Sequence, residues 1–274
     1  MDRVEISSPP GEALEFASRL AQQAGELLSN YYQRPDLVSS LKTDRTLVSE
    51  ADLAADNLIK NALQQRYPDQ GLISEETNST LQPGGQQDEL QYTWVIDPLD
   101  GTTNFCLGLH TWGVLITRCC NGWPELAVLH FPLLNELYTA RRNHGAWLNE
   151  KPLNSRAKQD RPITFFACCS RTHRHYQVNV PFKARILGSA AYSFCMVARG
   201  AAAIAFESQT KIWDIAGAWL LVTEAGGSIE LIDYSLPFPL LVDKSYDRQS
   251  YACLSAVSQD MLAKARRWIQ ANPI

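Results

Sequence analysis

The sequence predicts a protein of mixed structure, with an α+β first half built on an antiparallel sheet and an α/β second half built on a mixed sheet. In the first half, two amphipathic helical stretches precede a series of short apolar segments joined by turns. From about residue 160, short strands alternate with helices, which is typical of α/β structure. We therefore predict two lobes, residues 1–155 and 156–274 of the 274-residue chain.

The first half begins with two predicted helices. Apolar residues recur at three- and four-residue spacing over residues 12–32, which indicates one buried helical face. The second helix is predicted to start at Ser49, because Ser49 and Asp52 have the spacing of a capping box, and Pro68 stops it. Between the two helices, residues 42–44 suggest a turn.

An antiparallel meander is predicted after the second helix. A brief apolar run leads to Glu75, a polar loop occupies residues 77–89, and an apolar strand then runs into Asp97. Asn121-Gly122 is the dipeptide that favours a type I′ hairpin turn. The strands predicted on either side of this turn and after it are residues 112–120, 123–130, 136–140 and 146–148.

In the second half, strands and helices are predicted to alternate up to the C-terminus. One strand is expected to end at Glu207, and Ser258 is expected to cap a last helix that runs to about residue 271. The predicted strands are residues 163–169, 201–206, 228–232 and 251–257, with a short extended segment at 184–187, and the other predicted helices are residues 190–199 and 214–225.

The composition excludes several classes of function. The hydrophobic content is 45%, the charged content is 20% and the net charge is −4, with no long basic run, so a nucleic-acid partner is not expected. Seven cysteines without a Cys-x-x-Cys pair favour reduced thiols. The sequence shows neither a signal-peptide pattern nor an apolar stretch of the roughly 20 residues that span a membrane. We expect a cytoplasmic, soluble protein without a membrane partner.

Acidic residues at the ends of predicted elements suggest a metal site. A strand that ends in two carboxylates is costly to bury unless a cation lies between them. Each acid also has an ordinary explanation: a capping box, a surface loop, a helix start or an Asx turn. Junctions at one edge of a sheet can nevertheless converge in space. Five acids stand out by position, and all of them except Asp52 fall at such junctions: Asp52, Glu75, Asp97, Asp100 and Asp214.

The ligand types indicate the metal and the chemistry. Oxygen ligands without a nearby histidine suit hard cations, Mg²⁺ before Ca²⁺ or Mn²⁺. Several ions that share carboxylates are the arrangement used for in-line displacement at phosphorus. The amides and hydroxyls of Gly101-Thr102-Thr103 could bind phosphate oxygens or orient a water molecule. The sequence therefore favours metal-dependent hydrolysis of a phosphate ester.

The stretch from Trp94 to Phe105 resembles the Asp-Pro-Ile/Leu-Asp-Gly-Thr-x-Asn-Phe signature of the inositol monophosphatase family, a group of lithium-sensitive, magnesium-dependent phosphatases. The resemblance covers roughly residues 12–232 and includes a distant Trp-Asp motif at Trp213-Asp214. The other matching stretches, in the expected order, are Lys42-Thr43-Asp44 with Ser49-Glu50-Ala51-Asp52, Ile73-Ser74-Glu75-Glu76, Gly188-Ser189-Ala190-Ala191 and Glu224-Ala225-Gly226-Gly227.

The resemblance implies an α-β-α-β-α sandwich, often a homodimer, that binds two or three Mg²⁺ ions, for which Mn²⁺ can substitute. The first ion would take Glu75, Asp97 and the Leu99 carbonyl, the second Asp97, Asp100 and Asp214, and a weaker third again Glu75. Thr102, hydrogen-bonded to Asp52, would help to activate water, and the amides of Gly101 and Thr102 would bind phosphate. The residues implied on the alcohol side of the substrate are Gly188, Ser189, Ala190 and Glu207, with Ser170 as a further contact and Asp214 next to them.

The substrate is less narrowly defined than the chemistry. Asn104 resembles the inositol monophosphate branch, which implies a small phosphorylated sugar or cyclitol as partner, with myo-inositol monophosphate as the first candidate. Fructose 1,6-bisphosphate, phosphoadenosine phosphate, histidinol phosphate and NADP remain alternatives. Ser74 stands where the family often has glycine. Outside this chemistry, the alternatives are a catalytically silent regulatory binding protein, a structural Ca²⁺ module and a metal-dependent nuclease.

Overall fold

The computed structural model of the protein describes residues 10–34, 39–41, 47–77, 91–157, 163–233 and 235–272. The predicted turn at residues 42–44 and nearly all of the predicted loop at 77–89 lie outside these ranges. Within the described residues, the chain forms helices and two large sheets, so the prediction of a mixed α and β protein is confirmed. None of the helices described is long and apolar enough to cross a membrane.

Seven α-helices occur in the described part of the chain. The capping box predicted at Ser49 is present at the start of the second helix. The last helix ends at Trp268, earlier than predicted, because residues 269–271 form a strand that pairs with residues 176–178. The helices are α1 (Pro10–Tyr31), α2 (Glu50–Arg66), α3 (Thr102–Cys106), α4 (Thr172–His175), α5 (Ala190–Ala198), α6 (Ile212–Glu224) and α7 (Gln259–Trp268), with one 3₁₀ turn at Pro132–Leu134.

The first large sheet has seven strands, which are neighbours in the order of the sequence. All adjacent pairs are antiparallel except the first two strands, which run parallel. The expectation of a purely antiparallel sheet was therefore wrong at this edge, where a long connection lets the chain return in the same direction. The strands are β3 (Gly71–Ser74), β4 (Tyr92–Asp100), β5 (Gly113–Cys120), β6 (Trp123–Phe131), β7 (Glu136–Arg141), β8 (Gly145–Leu148) and β9 (Lys151–Pro152).

The turn between β5 and β6 confirms the hairpin predicted from Asn121-Gly122. Both residues have positive φ angles, 50° at Asn121 and 74° at Gly122, as a type I′ turn requires. A Cβ atom at position 122 would lie 2.6 Å from the main-chain nitrogen of Leu240, so the turn also packs closely against a segment of the second half.

The second large sheet has five strands in the order β12-β10-β13-β15-β14 and is mixed, as predicted. Glu207 lies inside β13, which continues to Thr210, so the prediction that this strand ends at Glu207 was wrong; the ladder is irregular between these two residues. The five strands are β10 (Phe165–Cys168), β12 (Lys183–Arg185), β13 (Ala202–Thr210), β14 (Ser228–Leu231) and β15 (Tyr251–Ala256), and two small pairs consist of β1 (Ser39–Leu41) with β2 (Leu47–Ser49) and β11 (Tyr176–Val178) with β16 (Ile269–Ala271).

The helices and sheets alternate in five layers. Helices α1 and α2 cover one face of the first sheet through an apolar cluster that includes Leu28, Ile59 and Ile116. Helices α5 and α6 lie between the two sheets, and α7 covers the far face of the second sheet. This is the α-β-α-β-α arrangement that the resemblance implied. It brings the ends of β3 and β4 close to the starts of α2, α3, α5 and α6.

Candidate active site

Three acids that are distant in sequence meet at one point. Glu75 directly follows β3, Asp97 lies in β4, and Asp214 lies in the first turn of α6. Ser74 and Ile96 are paired in the parallel ladder of β3 and β4, which places the next residue of each strand, Glu75 and Asp97, side by side. One oxygen of each of the three carboxylates lies within 4.8 Å of the others. The junction argument from the sequence thus predicted a real convergence.

Asp52 and Asp214 occupy the same position in their helices, the third residue. Asp52 Oδ2 accepts the main-chain N–H of Ser49, and Asp214 Oδ2 accepts that of Lys211, each at 2.8 Å. Each acid therefore uses one oxygen at its helix start. Asp52 Oδ1 accepts the hydroxyl of Thr102 at 3.0 Å, as the resemblance implied. Capping and a role in the site are compatible because a carboxylate has two oxygens.

The segment between Asp97 and Asp100 interrupts the regular ladder of β4 with β5. The Leu99 N–H donates to Asp97 Oδ1 at 3.0 Å, which fixes the orientation of that carboxylate. The Leu99 carbonyl lies 3.0 Å from Thr102 Oγ1, the same distance that separates this hydroxyl from Asp52. Since Thr102 has one hydroxyl proton, it can donate to only one of these two acceptors at a time.

The pKa values of three carboxylates at the site are raised by burial and by the negative charges of their neighbours. Burial raises the pKa of Asp97 well above its ordinary value, and the negative charges of Glu75, Asp100 and Asp214 raise it further. Burial also raises the pKa of Asp214, with the charges of Asp100 and Glu75 adding to the effect. The pKa of Asp100 is raised by burial to about 6, although a hydrogen bond from Ser189 opposes the shift. Such a group of acids is stabilised by a cation.

Gly101 forms the turn between β4 and α3. Its φ angle of 87° favours glycine, and a Cβ atom there would lie 2.9 Å from the Thr111 carbonyl oxygen and 3.4 Å from that of Gly188. The Gly101 carbonyl accepts the N–H of Phe105 at 3.0 Å and so begins the short helix. The turn that carries the predicted phosphate-binding amides is thereby in contact with the loop that precedes α5.

The segment Gly188, Ser189 and Ala190, predicted on the alcohol side, forms the start of α5. Gly188 has a φ angle of 78°, and a Cβ atom there would lie 2.4 Å from the side-chain oxygen of Asn104. The Ser189 hydroxyl accepts the N–H of Tyr192 at 3.0 Å and donates to Asp100. The Ser189 side chain is therefore directed toward a predicted metal ligand, and it is only 3% exposed.

Glu207 and Ser170, the other two residues predicted on the alcohol side, lie on the second sheet. Glu207 is 5% exposed, and its pKa is raised well above the ordinary value by burial and by the charge of Cys169, against a hydrogen bond from Ser193. Ser170 is exposed and follows β10, next to Cys169. Because Ser193 belongs to α5, the same helix contacts Asp100 at its start and Glu207 one turn later.

The chain is similar to known proteins along most of its length. The inositol monophosphatase family model matches residues 10–270. The chain belongs to the inositol monophosphatase family. Among curated relatives, the Nus factor SuhB of Pasteurella multocida is 35% identical over 228 residues, which cover 79% of this chain and 84% of that protein. A histidinol-phosphatase of Chlorobaculum parvum is 33% identical, with coverage of 78% and 83%.

Solved structures agree with this membership. The extragenic suppressor protein suhB of Bartonella henselae superposes with a TM-score of 0.78 at 26% sequence identity, covering 93% of this chain and 97% of that one. Membership in the inositol monophosphatase family supports phosphatase chemistry as a class. It leaves the substrate open, since the relatives carry different functional names.

The position where the inositol monophosphatase family often has glycine is Ser74 here, and the structure shows what this serine does. Its hydroxyl donates to Asp56 Oδ1, and Thr77 Oγ1 donates to Asp56 Oδ2 at 2.8 Å. Lys60 Nζ lies 3.6 Å from Asp56 Oδ2. The segment that carries Glu75 is thus fastened to α2. Asp56 was not among the predicted site residues, although an acid on the apolar face of a predicted amphipathic helix is a signal that the sequence contains.

Asn104, the residue that resembles the inositol monophosphate branch of the family, makes structural hydrogen bonds in this chain. Its side-chain N–H groups donate to the carbonyls of Thr111 at 2.7 Å and Leu187 at 2.8 Å. It therefore joins α3 to the segment before α5, which lies in the second lobe. The Asn104 amide therefore joins these two segments without the involvement of a substrate.

The donor set at the centre of the site fits a hard divalent cation. The three converging groups, Glu75, Asp97 and Asp214, offer only carboxylate oxygens, and no histidine or cysteine belongs to that cluster in the described residues. Asp97 is 1% exposed, so its charge cannot be screened by bulk water. Closely spaced oxygen ligands of this kind suit Mg²⁺ or Mn²⁺ better than softer metals.

Proposed function

We propose that this protein is a Mg²⁺-dependent phosphatase that hydrolyses a small phosphate monoester, with myo-inositol monophosphate as the leading candidate. The observation that carries the proposal is the convergence of Glu75, Asp97 and Asp214 beside the Gly101-Thr102 turn. Membership in the inositol monophosphatase family supports the same reaction class. Phosphate-ester hydrolysis needs both a cation site and donors for phosphate oxygens, and this site offers the two side by side.

We propose that the acids hold two or three metal ions, each with its own set of ligands. We assign Glu75, Asp97 and the Leu99 carbonyl to the first ion, Asp97, Asp100 and Asp214 to the second, and Glu75 again to a third. When bound, the ions lower the pKa of coordinated water and offset the charge on the phosphoryl oxygens. The amides of Gly101 and Thr102 then orient the phosphate through hydrogen bonds to its oxygens.

Thr102 and Asp52 are proposed to position the attacking water and to receive its proton. Thr102 donates to Asp52 Oδ1 at 3.0 Å, which leaves the lone pairs of its hydroxyl oxygen able to accept a hydrogen bond from water. Burial raises the pKa of Asp52, against hydrogen bonds from Ser49 and Thr102, so this carboxylate is a better proton acceptor than an exposed one. As water attacks phosphorus, the bond from phosphorus to the substrate alcohol breaks. The proton of the water passes to Thr102 while the Thr102 proton passes to Asp52, the departing alkoxide takes up a proton from solvent, and the carboxylate of Glu75 orients the attacking water.

The alcohol side of the substrate is proposed to lie against the start of α5 and β13. Glu207 would bond substrate hydroxyls, together with the main chain of Gly188 to Ala190 and with Ser170. The raised pKa of Glu207 allows its carboxyl group to act as a hydrogen-bond donor as well as an acceptor. Fructose 1,6-bisphosphate, phosphoadenosine phosphate, histidinol phosphate and NADP remain alternative substrates for the same chemistry.

We further propose a homodimer located in the cytoplasm, where the seven free cysteines would stay reduced.

The decisive test is the loss of phosphate release when a central acid is neutralised. Asp97→Asn and Asp214→Asn are each expected to lower kcat/KM for the best substrate by at least about 100-fold, because each removes a carboxylate proposed to hold the cations that stabilise the transition state. Phosphate release from a panel of phosphate esters is measured with and without Mg²⁺, and with Li⁺ as an inhibitor. Asp69→Asn, an exposed aspartate in the turn after α2, serves as the control and should keep full activity. Folded Asp97→Asn and Asp214→Asn variants with wild-type activity would refute the assignment.

A regulatory binding protein on the same fold is the second candidate, favoured by the relatives that are named Nus factor SuhB. The same ester panel separates the two candidates. Mg²⁺-dependent turnover of any ester supports the phosphatase. Stable Mg²⁺ binding without turnover of any ester on the panel supports the regulatory protein.

A further inference from the structure

Asp100 is held by the start of a helix from the other half of the chain. The Ser189 hydroxyl donates to Asp100 Oδ2, and the N–H of Ala191 lies 3.3 Å from the same oxygen. The Ala190 amide is a further hydrogen-bond donor to this carboxylate. Asp100 is 7% exposed, so these bonds are shielded from water. Three donors from α5 therefore surround one carboxylate of the first sheet.

The Ser189 hydroxyl is constrained by two bonds of opposite sense. It gives its proton to Asp100 and accepts the N–H of Tyr192 at 3.0 Å, which caps α5. A hydroxyl group can do both at once, since it has one proton and two lone pairs. The Ser189 carbonyl in turn accepts the Ser193 hydroxyl at 3.1 Å. The orientation of Ser189 is thus fixed by its own helix.

Helix α5 is itself anchored to the first sheet by a partly buried polar network. Arg199, just after the helix, donates to Glu136 Oε1 at 2.5 Å and lies 3.3 Å from the Tyr138 hydroxyl. The Tyr138 hydroxyl donates to Glu136 Oε2 at 2.8 Å. Near the start of the helix, the Tyr192 ring packs edge-on against Phe131, with the ring centroids 4.7 Å apart. The helix start therefore keeps a defined position relative to β4, on which Asp100 lies.

We propose that Ser189 is a positioning residue that orients the Asp100 carboxylate for the second metal position, rather than a ligand of the substrate alcohol. Both bonds with known acceptor atoms fall on Oδ2, which leaves Oδ1 as the oxygen for the ion. Groups that hydrogen-bond to a metal ligand set its orientation and its affinity for the metal. This inference rests on the proposed function, because it assigns Asp100 to a metal ion.

The test measures metal binding in the absence of substrate. Mn²⁺ binding to wild type, Ser189→Ala and Ser189→Thr is followed by electron paramagnetic resonance, and Mg²⁺ binding by calorimetry. We expect Ser189→Ala to weaken one binding step by about 10- to 100-fold, the range found for groups that orient metal ligands, with the other step unchanged. Ser189→Thr keeps the hydroxyl and should bind nearly as wild type does.

Ser258→Ala is the matched control. Ser258 caps α7 by accepting the N–H of Met261 at 3.2 Å, so its removal costs one helix cap, as Ser189→Ala does. Its melting temperature should fall by a similar amount while both metal-binding steps stay at wild-type strength. This comparison separates a loss of stability from a loss of metal affinity.

The outcomes decide the proposal and the proposed function separately. Wild-type metal affinities in Ser189→Ala, with only a raised KM for the ester, would overturn the positioning role and make Ser189 a substrate contact. Failure of Ser189→Thr to restore binding would also overturn it, because the hydroxyl would not be the cause. If wild type itself binds neither ion, the proposed function fails and the positioning role fails with it.

Discussion

At the scale of single residues, the site is built from side chains that each carry two tasks. Asp52 and Asp214 each use one carboxylate oxygen to accept a main-chain hydrogen bond at the start of a helix. The other oxygen of each carboxylate is left to face the site. Ser189 caps α5 and holds Asp100. A sequence pattern such as a capping box therefore does not argue against a functional role for the same residue. It indicates that the carboxylate is already oriented by its own helix before any ligand arrives.

The raised pKa values predict how pH and Mg²⁺ act on stability. In the metal-free protein, the pKa values of Asp97, Asp100 and Asp214 exceed the value of about 3.9 expected in an unfolded chain. The folded state therefore binds more protons, and its free energy of unfolding falls as the pH rises from about 4 through the folded pKa values. Because Mg²⁺ requires ionised carboxylates, it competes with these protons. We expect the increase in Tm on adding Mg²⁺ to be larger near pH 8 than near pH 5.5.

Scanning calorimetry with and without Mg²⁺ at the two pH values measures this effect. Asp97→Asn provides the control, since its Tm should respond weakly to Mg²⁺ at both pH values. An equal increase in Tm at both pH values in the wild type would show that the buried acids are not the groups that bind the ion.

At the scale of elements, local sequence determined helices and hairpins but not every strand direction. Amphipathic spacing predicted α1 and α2, and Asn121-Gly122 predicted the hairpin. The parallel pairing of β3 with β4 was not predictable, because it depends on the route of a long connection rather than on local pattern. The end of α7 at Trp268 was missed because pairing of residues 269–271 with a distant strand overrides local helix propensity.

The hairpin turn offers a test of packing between elements. Gly122→Ala and Gly108→Ala both place alanine at a positive φ angle, 74° and 73°, which costs roughly 1–2 kcal/mol. At position 108 the nearest atom to the new Cβ is the flexible Gln33 amide at 3.2 Å, whereas at position 122 it is the Leu240 main chain at 2.6 Å. We expect Gly122→Ala to lose a further ~1–3 kcal/mol, as overpacked sites do.

Urea unfolding gives the difference in the free energy of unfolding between the two variants when both have the same m-value, the slope of that free energy against urea concentration. Gly108→Ala is the matched control for backbone strain. Equal losses in both variants would mean that the hairpin does not pack tightly against the segment around Leu240.

At the scale of the whole molecule, the two halves share one core. The largest buried apolar cluster contains Val95 and Leu129 of the first sheet together with Phe194 of α5 and Leu221 of α6. The parts of the chain on either side of the predicted boundary near residue 155 therefore bury apolar surface against each other. The boundary itself stays a prediction from the change of pattern in the sequence. The sequence could not predict the shared core, since apolar periodicity shows which face is buried but not what covers it.

We expect residues 1–155 alone to lack a native fold, because one face of the first sheet would lose its cover of α5 and α6. The fragment should show a broad thermal transition by circular dichroism and should bind a hydrophobic dye. Co-expression with residues 156–274 should restore a sharp transition. A fragment that unfolds cooperatively by itself, without dye binding, would show that the first lobe is an independent domain.

The acids that meet at the candidate site were easier to predict from the sequence than the residues whose hydrogen bonds hold the surrounding segments in place. Glu75 and Asp214 could be selected because each stands at a junction between elements. Asp97 could be selected because an apolar run leads into it, although β4 continues past it to Asp100. The bonds from Ser74 to Asp56 and from Asn104 to Leu187 join residues far apart in sequence. Such pairs depend on how whole elements pack against each other. The local sequence pattern around one residue therefore does not predict its distant partner.

The edge position of β12 bears on how enzymes of this architecture diversify. Among the described strands, β12 has a single sheet neighbour, β10, and it leads directly into the loop at Gly188. The carboxylates stand elsewhere, on β4 and at the starts of α2 and α6. Changes in the length or sequence of β12 itself disturb few main-chain hydrogen bonds, provided that Ser189 keeps its contact with Asp100. On the proposed function, a lineage could therefore vary the proposed alcohol side at this edge of the sheet while it keeps the proposed metal-binding acids.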